Sequence, residues 1–442
     1  MSKKVALHNL GCKVNAYETE AMQQLLEKAG YVIVPFTECA DIYIINTCSV
    51  TNIADRKSRQ MLHRAKKENP ESIVVAAGCY VQTSEKQAAE DAAIDIIIGN
   101  NRKNELIEIL ESYQLEKESD QVMLHRENVR NMNLAGEAYE EMSLEKTAEH
   151  TRAFLKVQDG CNQFCSYCII PYARGRIRSR EAEDVVAEVR TLASNGCHEV
   201  VLTGIHLSSY GADHGDSLLH LIQLVHEVEG IERIRLGSLE PNIITPEFVQ
   251  AIVKLPKLCP HFHLSLQSGC DATLKRMNRR YDTASYEEKC NIIRTYYKHP
   301  AITTDVIVGF PGETEEEFEE TKEFLSRIRF YEMHIFKYSK RKGTKAAVMQ
   351  DQVPEEIKSK RSAVLLELEE KMSQEYRDAY LGKQTQVLLE EAMEYDGEKY
   401  YTGYTKEYVK VAVRTGENRE NQFAAGTITE RLHGEVYLMV EF

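Results

Sequence analysis

Residues Asp159–Arg176 read DGCNQFCSYCIIPYARGR and place Cys161, Cys165 and Cys168 in a CxxxCxxC loop directly after the apolar run FLKVQ. Three soft thiolates on one short loop can hold three corners of an iron–sulfur cube. A closed structural metal site wants four ligands, so three leave one iron open to a substrate or cofactor. A zinc knuckle borrowing a distant fourth ligand, and plain core cysteines, are the competing readings of the same spacing.

Outward from this loop the chain is regular. FLKVQDG is followed by HEVVLTG, RIRLGSL, FHLSLQS, TTDVIVGF and YEMHIFKY, with helical patterns of fitting length between them. Six βα units in series predict a partial (β/α)6 barrel over residues 151–376, incomplete beside the eight-stranded form. Upstream, VALHNL, IYIINT, SIVVAAG and IDIIIGN alternate with the helical runs ETEAMQQLLEKAG, stopped by Gly30, and RKSRQMLHRAKK. That pattern predicts an N-terminal parallel-sheet α/β domain over residues 1–113. Residues 114–150 turn acidic and weakly periodic, which reads as a linker with a short strand at Gln121–Leu124. A long helix is expected from Pro354 to Leu381. Over residues 377–442, TQVLLEEAM, YYTGYT, YVKVAVR and GEVYLMVEF predict a small all-β barrel.

The 442 residues exceed one ordinary core, so two or three domains are expected. The chain is 43% hydrophobic and 28% charged, with no apolar run of about 18 residues to span a membrane. MSKKVALHNLG reads as a strand and not a signal peptide, giving a cytoplasmic expectation. Thiols there stay reduced, so eleven cysteines point to metal or redox chemistry ahead of disulfides. A net charge of −14 argues against broad attachment to nucleic acid. Two stretches run the other way: Arg56–Lys67 has six Lys/Arg and no acid, and Arg174–Arg180 has four arginines and no acid. A solvated charged face is the plain reading of each.

Cys12, Cys48 and Cys79 share a setting, each following a predicted strand: VALHNLGC, IYIINTC and SIVVAAGC. Carboxyl ends of parallel strands lie along one sheet edge, so the three thiols can converge there. Core packing is the alternative for each cysteine taken singly.

The CxxxCxxC loop after the first strand of a βα series resembles the radical S-adenosylmethionine (SAM) superfamily. The resemblance implies that the open iron is chelated by SAM, which an electron from the cluster cleaves to a 5′-deoxyadenosyl radical. It also implies pocket-lining roles for Thr203 and Gly204 in VVLTGIHLSSYG, Glu240 in LGSLEP, Gln267 in HLSLQSG, and Asp305 and Gly309 in DVIVGFPGET. LGCKVNAYETE, NTCSVTNIADRKSRQ, GCYVQ and GCNQFCSYCIIPYARGRIRSR, with the C-terminal β module, resemble the methylthiotransferases over essentially the whole chain. That family implies a cluster-binding domain, a radical SAM core and an RNA-binding TRAM domain. It implies two 4Fe–4S clusters, one on Cys12, Cys48 and Cys79 and one on Cys161, Cys165 and Cys168, together with SAM.

Within the family, CKVN…YETE, TNIADRKSRQ and TGIHLSSYG resemble the branch acting on N6-threonylcarbamoyladenosine (t6A) in tRNA. The isopentenyladenosine branch tends to read GCQMN and REKAE, and the ribosomal protein S12 branch GCPKN. The implied reaction adds a methylthio group to C2 of t6A at position 37, with SAM as both methyl donor and radical source. The implied partners are a tRNA anticodon loop, a low-potential electron donor and a sulfur source. Both basic stretches start beside an expected cluster, so Arg56, Lys57, Arg59, Arg64, Arg174, Arg176, Arg178 and Arg180 are candidate RNA-phosphate contacts.

From Lys383 to Phe442 the C-terminal module has seven Lys/Arg against eleven Asp/Glu, leaving shape or a local face of Lys406, Lys410 and Arg414 to meet RNA. Cys39, Cys197, Cys259, Cys270 and Cys290 read as core or incidental, with Cys270 the nearest to the SAM pocket. None of the 14 histidines is assigned a role. The rival of another class is a non-catalytic iron–sulfur RNA-binding sensor, which needs no SAM pocket.

Overall fold

The computed structural model describes residues 3–118, 137–147 and 151–442. The strand expected at residues 121–124 lies outside them. Strands β1 (Lys4–Asn9), β2 (Val32–Ile33), β3 (Ile42–Thr47), β4 (Ile73–Gly78) and β5 (Ile96–Ile98) form one parallel sheet in the order β2-β1-β3-β4-β5. Every residue of β3 and β4 is buried, which is why these strands read as unbroken apolar runs instead of alternating ones. On one face Val5, Ile44 and Val75 pack with Tyr17 and Met22 of α1 (Lys13–Lys28). On the other, Tyr43, Ile45 and Val74 pack with Leu62 and Ala65 of α2 (Asn52–Glu68). The short edge strand β2 had no signal in the sequence. It is two residues long, half open to solvent, and ended by Pro35.

The central domain opens with β6 (Arg152–Asp159), carries β7 (Arg178–Ser179) antiparallel on its edge, and continues through β8 (Glu199–Gly204) and β9 (Arg233–Leu236). A second arc is β10 (His261–His263), β11 (Ala301–Val308) and β12 (Glu332–Lys337). Within each arc the six βα strands run parallel, and bridges Ile234–Leu258 and Leu239–Leu264 join the arcs. β6 and β12 do not pair, so the barrel is partial, as the six-unit count predicts. Helix α1 lies against β6, and the apolar core beneath it is continuous with that of the barrel through Ala153, Leu155 and Val157. Met142 and Leu144, from the segment read as a linker, are buried in the same core.

The C-terminal strands β13 (Gln384–Tyr395), β14 (Glu398–Tyr404), β15 (Lys410–Arg414), β16 (Phe423–His433) and β17 (Val436–Glu441) close into a barrel in the order β13-β14-β15-β17-β16. The sequence pattern gave four of these; FAAGTITERLH, with small residues and a glycine first, hid β16. This domain stoppers the floor of the central barrel. Arg233 donates to the carbonyls of Tyr404 and Gln386, both at 2.7 Å, and Arg235 to those of Thr405 and Lys406, at 2.8 and 2.9 Å. Arg152 lies over the rings of Tyr404 and Tyr408. Lys406 is thereby spent on the barrel, its ammonium donating to the Pro256 carbonyl at 2.8 Å. Lys410 and Arg414 pair with Glu391 and Glu398. The basic face expected of Lys406, Lys410 and Arg414 is therefore neutralised within the domain and its interface.

Candidate functional site

Sheet register assembles the dispersed cysteines. Thr47 pairs with Gly78, so the next residues, Cys48 and Cys79, leave neighbouring strands side by side. Cys12 is the N-cap of α1, three residues past β1. Asn15 ties the turns together, donating to the carbonyls of Leu10 at 2.7 Å and Thr47 at 3.0 Å. Gly11 sits at φ +112°, and a Cβ there would stand 2.9 Å from the Cys48 Sγ. Only glycine lets the Cys12 loop close on Cys48. Asn100 reaches Cys79 Sγ at 3.6 Å while donating to Ala173 O at 2.9 Å, a bridge from this trio to the barrel.

The other three thiols need no such assembly. Their loop leaves β6 through Gly160, Cys161 N donates to Gly175 O at 3.0 Å, and Cys168 N to Cys165 O at 3.0 Å. The segment after the fourth barrel strand pins it: Ser166 Oγ donates to Arg276 O at 2.8 Å and Asn278 Nδ2 to Phe164 O at 3.1 Å. Arg279 Nη1 donates to Cys165 Sγ at 3.1 Å. Nothing in its local sequence, LKRMNRR over residues 274–280, marks Arg279 in advance. Cys270, expected near this pocket, instead caps the helix Asp271–Arg276 and meets Glu320 on the outer helix Glu315–Ile328.

Burial pushes the thiols up, Cys48 to about 11 and Cys168 to about 12, with Cys12 and Cys161 also raised. Within each trio a charge on one sulfur disfavours charge on the others; Arg174 opposes this in the first and Arg279 in the second. A bound cation favours the thiolate form that burial disfavours at Cys12, Cys48, Cys161 and Cys168. Among the described residues the group close enough to grip a single ion, within 4.8 Å, is His263, Asp305 and His334, and neither thiol trio is that tight. Soft, wider-set triads fit an iron–sulfur cluster better than a lone zinc ion.

Between the trios lies a buried ion-pair network. Glu18 of α1 accepts from Lys103 at 2.8 Å, Lys156 at 2.9 Å and Arg174 at 2.8 Å, and all four side chains are sealed from solvent. The three cations hold the Glu18 carboxyl well below its ordinary value against burial, which pushes the other way. Asp159 adds a second acceptor for Lys156 and Arg174, at 2.9 and 3.1 Å.

This network corrects three RNA assignments. Arg174, Arg178 and Arg180 are buried: Arg174 on Glu18 and Asp159, Arg178 on Asp159 and the Arg174 carbonyl, Arg180 on Glu188 and Glu141. Arg174 fastens the loop to the N-terminal domain, and none of the three has a face for phosphate. Arg176 is exposed, 4.5 Å above the Phe164 ring, with Tyr172 edge-on to that ring. Arg56, Lys57, Arg59 and Arg64 are exposed on α2, whose N-terminus adjoins Cys48 and is tied to the barrel by Arg341 through Asp55 and Ser49.

Of the pocket residues, Thr203 and Gly204 end β8, with the Gln158 side chain packed against Gly204. Glu240 follows β9, its carboxyl raised by burial and opposed by Arg279 and Arg280. Gln267 holds a left-handed backbone, φ +76°, and bridges to β11 by hydrogen bonds with Asp305 O and Ile307 N, each 2.8 Å. Such strain in a non-glycine residue concentrates at functional sites. Gly309 follows β11 and donates its N–H to Glu313 at 2.6 Å. Asp305 points lower, toward His263 and His334. The remaining five residues gather at the carboxyl ends of the strands, where barrels build sites.

A thiol loop at the mouth of a partial parallel barrel defines the radical SAM enzymes, and the profile of that superfamily matches residues 155–325. An uncharacterized protein family, UPF0004, matches residues 4–99. The threonylcarbamoyladenosine tRNA methylthiotransferase MtaB of Bacillus subtilis is 41% identical over 94% of this chain and 91% of its own length. Its Aquifex aeolicus namesake is 44% identical over 87% and 92%. A tRNA-2-methylthio-N(6)-dimethylallyladenosine synthase of Acetivibrio thermocellus is 36% identical over 91% and 84%. The chain belongs to the radical SAM methylthiotransferase family. The fold is shared with the radical SAM methyltransferase TsrM of Kitasatospora setae, at TM-score 0.56 and 15% identity over 79% of this chain and 77% of that one.

No described helix is long and apolar enough to cross a membrane.

Proposed function

We propose that this enzyme adds a methylthio group to C2 of t6A at position 37 of tRNA, in the cytoplasm. The reading is supported by the links between the segments that bear the two thiol trios: Arg174, six residues past Cys168, acts on the first trio and bonds Glu18, and Asn100 spans Cys79 and Ala173. In support, the t6A-named relatives above stand at 41% and 44% identity and the dimethylallyl-named one at 36%.

An aromatic C2–H is not acidic, so a tuned side-chain base cannot remove it near neutral pH. A 4Fe–4S cluster with SAM on Cys161, Cys165 and Cys168 would supply radical chemistry, and a second cluster on Cys12, Cys48 and Cys79 the sulfur. The protein's own work is placement. Arg279 and Arg174 offset negative charge at the two trios. Thr203, Gly204, Glu240, Gln267 and Gly309 line the mouth where SAM would lie. The exposed step of Phe164, Tyr172 and Arg176 suits an unstacked base and its phosphate, and the α2 cations suit the neighbouring backbone. A low-potential electron donor and a sulfur source complete the reaction from outside the chain.

The test is mass spectrometry of tRNA nucleosides from a deletion strain. Loss of 2-methylthio-t6A is expected. Its persistence, with another methylthio nucleoside lost instead, overturns the substrate.

A further inference from the structure

Below the mouth of the central barrel lies a layer of polar side chains to which the reaction assigns nothing. Strand register sets it: Asp305 of β11 pairs with His334 of β12, and His263 of β10 with Thr303, two residues before Asp305. The His263 and His334 rings stack at 5.7 Å. His263 Nε2 faces Asp305 Oδ2 at 3.3 Å without hydrogen-bond geometry, while its Nδ1 is fixed by Thr303 Oγ1 at 3.0 Å. One imidazole nitrogen is thus oriented and the other left unsatisfied.

Near this layer stands Lys13, exposed, the residue after Cys12 and the first of α1. Its charge acts on Asp305 and His334, and it has no ion pair among the described residues. The layer beneath is different: Glu199 takes Arg235 at 2.7 Å and Arg152 at 3.6 Å, and the β13–β17 barrel covers it. Two residues above His334 on the same face of β12, Phe336 stands 48% exposed. The layer therefore joins an exposed aromatic ring and an unsatisfied imidazole nitrogen above a saturated ion-pair network.

Two imidazoles and a carboxylate have the makeup of a metal site. The charge of Lys13 acts on Asp305 and His334 and opposes a dication there. An anionic group with hydroxyl and N–H functions fits better. The threonylcarbamoyl substituent has a carboxylate, a hydroxyl and urea N–H groups; a dimethylallyl substituent has none of them.

We propose that Lys13, His263, Asp305 and His334 are the pocket for the amino-acid portion of the threonylcarbamoyl group, and so set the choice of t6A over prenylated adenosine. Lys13 meets the carboxylate, and the His–Asp–His set meets the hydroxyl and N–H groups. The inference rests on the t6A reading. A hydrocarbon substituent would cover Lys13 and His263 Nε2 without giving either a partner, the arrangement by which sites reject a ligand lacking their hydrogen-bonding groups.

The test uses the full chain with its clusters reconstituted, and anticodon stem-loops bearing t6A37 or unmodified A37. Binding of both is measured, with KM and kcat on the t6A loop. The wild type is expected to prefer the t6A loop. Lys13→Met and His334→Phe should each cut that preference about tenfold or more, through KM and not kcat, with wild-type iron content, while Lys13→Arg keeps most of it. Undiminished preference in both variants overturns the pocket, as does equal weakening on both RNAs. So does stoichiometric zinc or manganese bound through His263 and His334. A wild type that ignores t6A and methylthiolates an isopentenyladenosine loop instead fails the t6A reading itself, and the pocket with it.

Discussion

The two thiol trios differ in what makes them. Cys161, Cys165 and Cys168 lie on one loop whose bonds are mostly local, pinned from outside by the 276–279 segment. Cys12, Cys48 and Cys79 come together only because β1, β3 and β4 are adjacent and in register, because Gly11 admits Cys48, and because Glu18 joins α1 to the barrel. The first trio is a property of sequence and the second a property of tertiary structure. Damage to packing should therefore reach the second trio well before the first.

The largest effect should come from the loop itself. Cys168→Ala is expected to abolish both 5′-deoxyadenosine formation and methylthiolated product, read by chromatography of the reaction. Persistent SAM cleavage would show that Cys168 is not essential to that site.

Next is Glu18→Gln, which takes the carboxylate from Lys103 and leaves Lys156 and Arg174 to share Asp159. Removing one partner of a buried ion pair costs about 3–5 kcal/mol. Iron bound by the dispersed trio should fall while SAM cleavage persists; equal loss at both sites would erase the distinction drawn above. The same carboxylate sets a pH dependence. Its folded-state value is depressed, so its contribution is fully present above about pH 5 and is lost as pH falls toward the folded value. Glu18→Gln should flatten the acid limb of stability, followed by near-UV circular dichroism of tyrosine, since the chain has no tryptophan.

Gly11→Ala should be milder, about 1–3 kcal/mol from its positive φ and the approach to Cys48. Its expected signature is weaker iron retention at the dispersed trio during chelation, with the loop trio unchanged. Smallest is Thr51→Ala. Thr51 Oγ1 accepts from Ala54 N at 3.1 Å and caps α2 beside Cys48; its loss should cost about 1 kcal/mol in thermal denaturation.

The same contrast explains what could be read from sequence. Strand-end placement of Cys12, Cys48 and Cys79 was visible because apolar runs mark the strands, but the pairing of Thr47 with Gly78 that aligns two of them was not. The run Arg174–Arg180 looked like a basic surface because its acids lie elsewhere. Glu18 is 156 residues from Arg174, and only the packing of α1 on β6 brings them together. Arg279 and Lys13 were missed for a related reason: each is an ordinary cation in its local text and acquires meaning from a neighbour on another element. Of the barrel strands, β8 and β11 were legible because burial on both sides leaves near-continuous apolar runs, and β9, β10 and β12 by their alternation. β2 and β16 were not, one too short and one too rich in small residues.

The most direct test is to replace Cys12, Cys48 and Cys79 together by alanine, reconstitute the full chain anaerobically, and measure iron, 5′-deoxyadenosine and methylthiolated tRNA side by side. The account predicts about half the wild-type iron, consistent with one of two clusters remaining, with SAM still cleaved and no methylthio product. Wild-type iron with methylthiolation intact would contradict it.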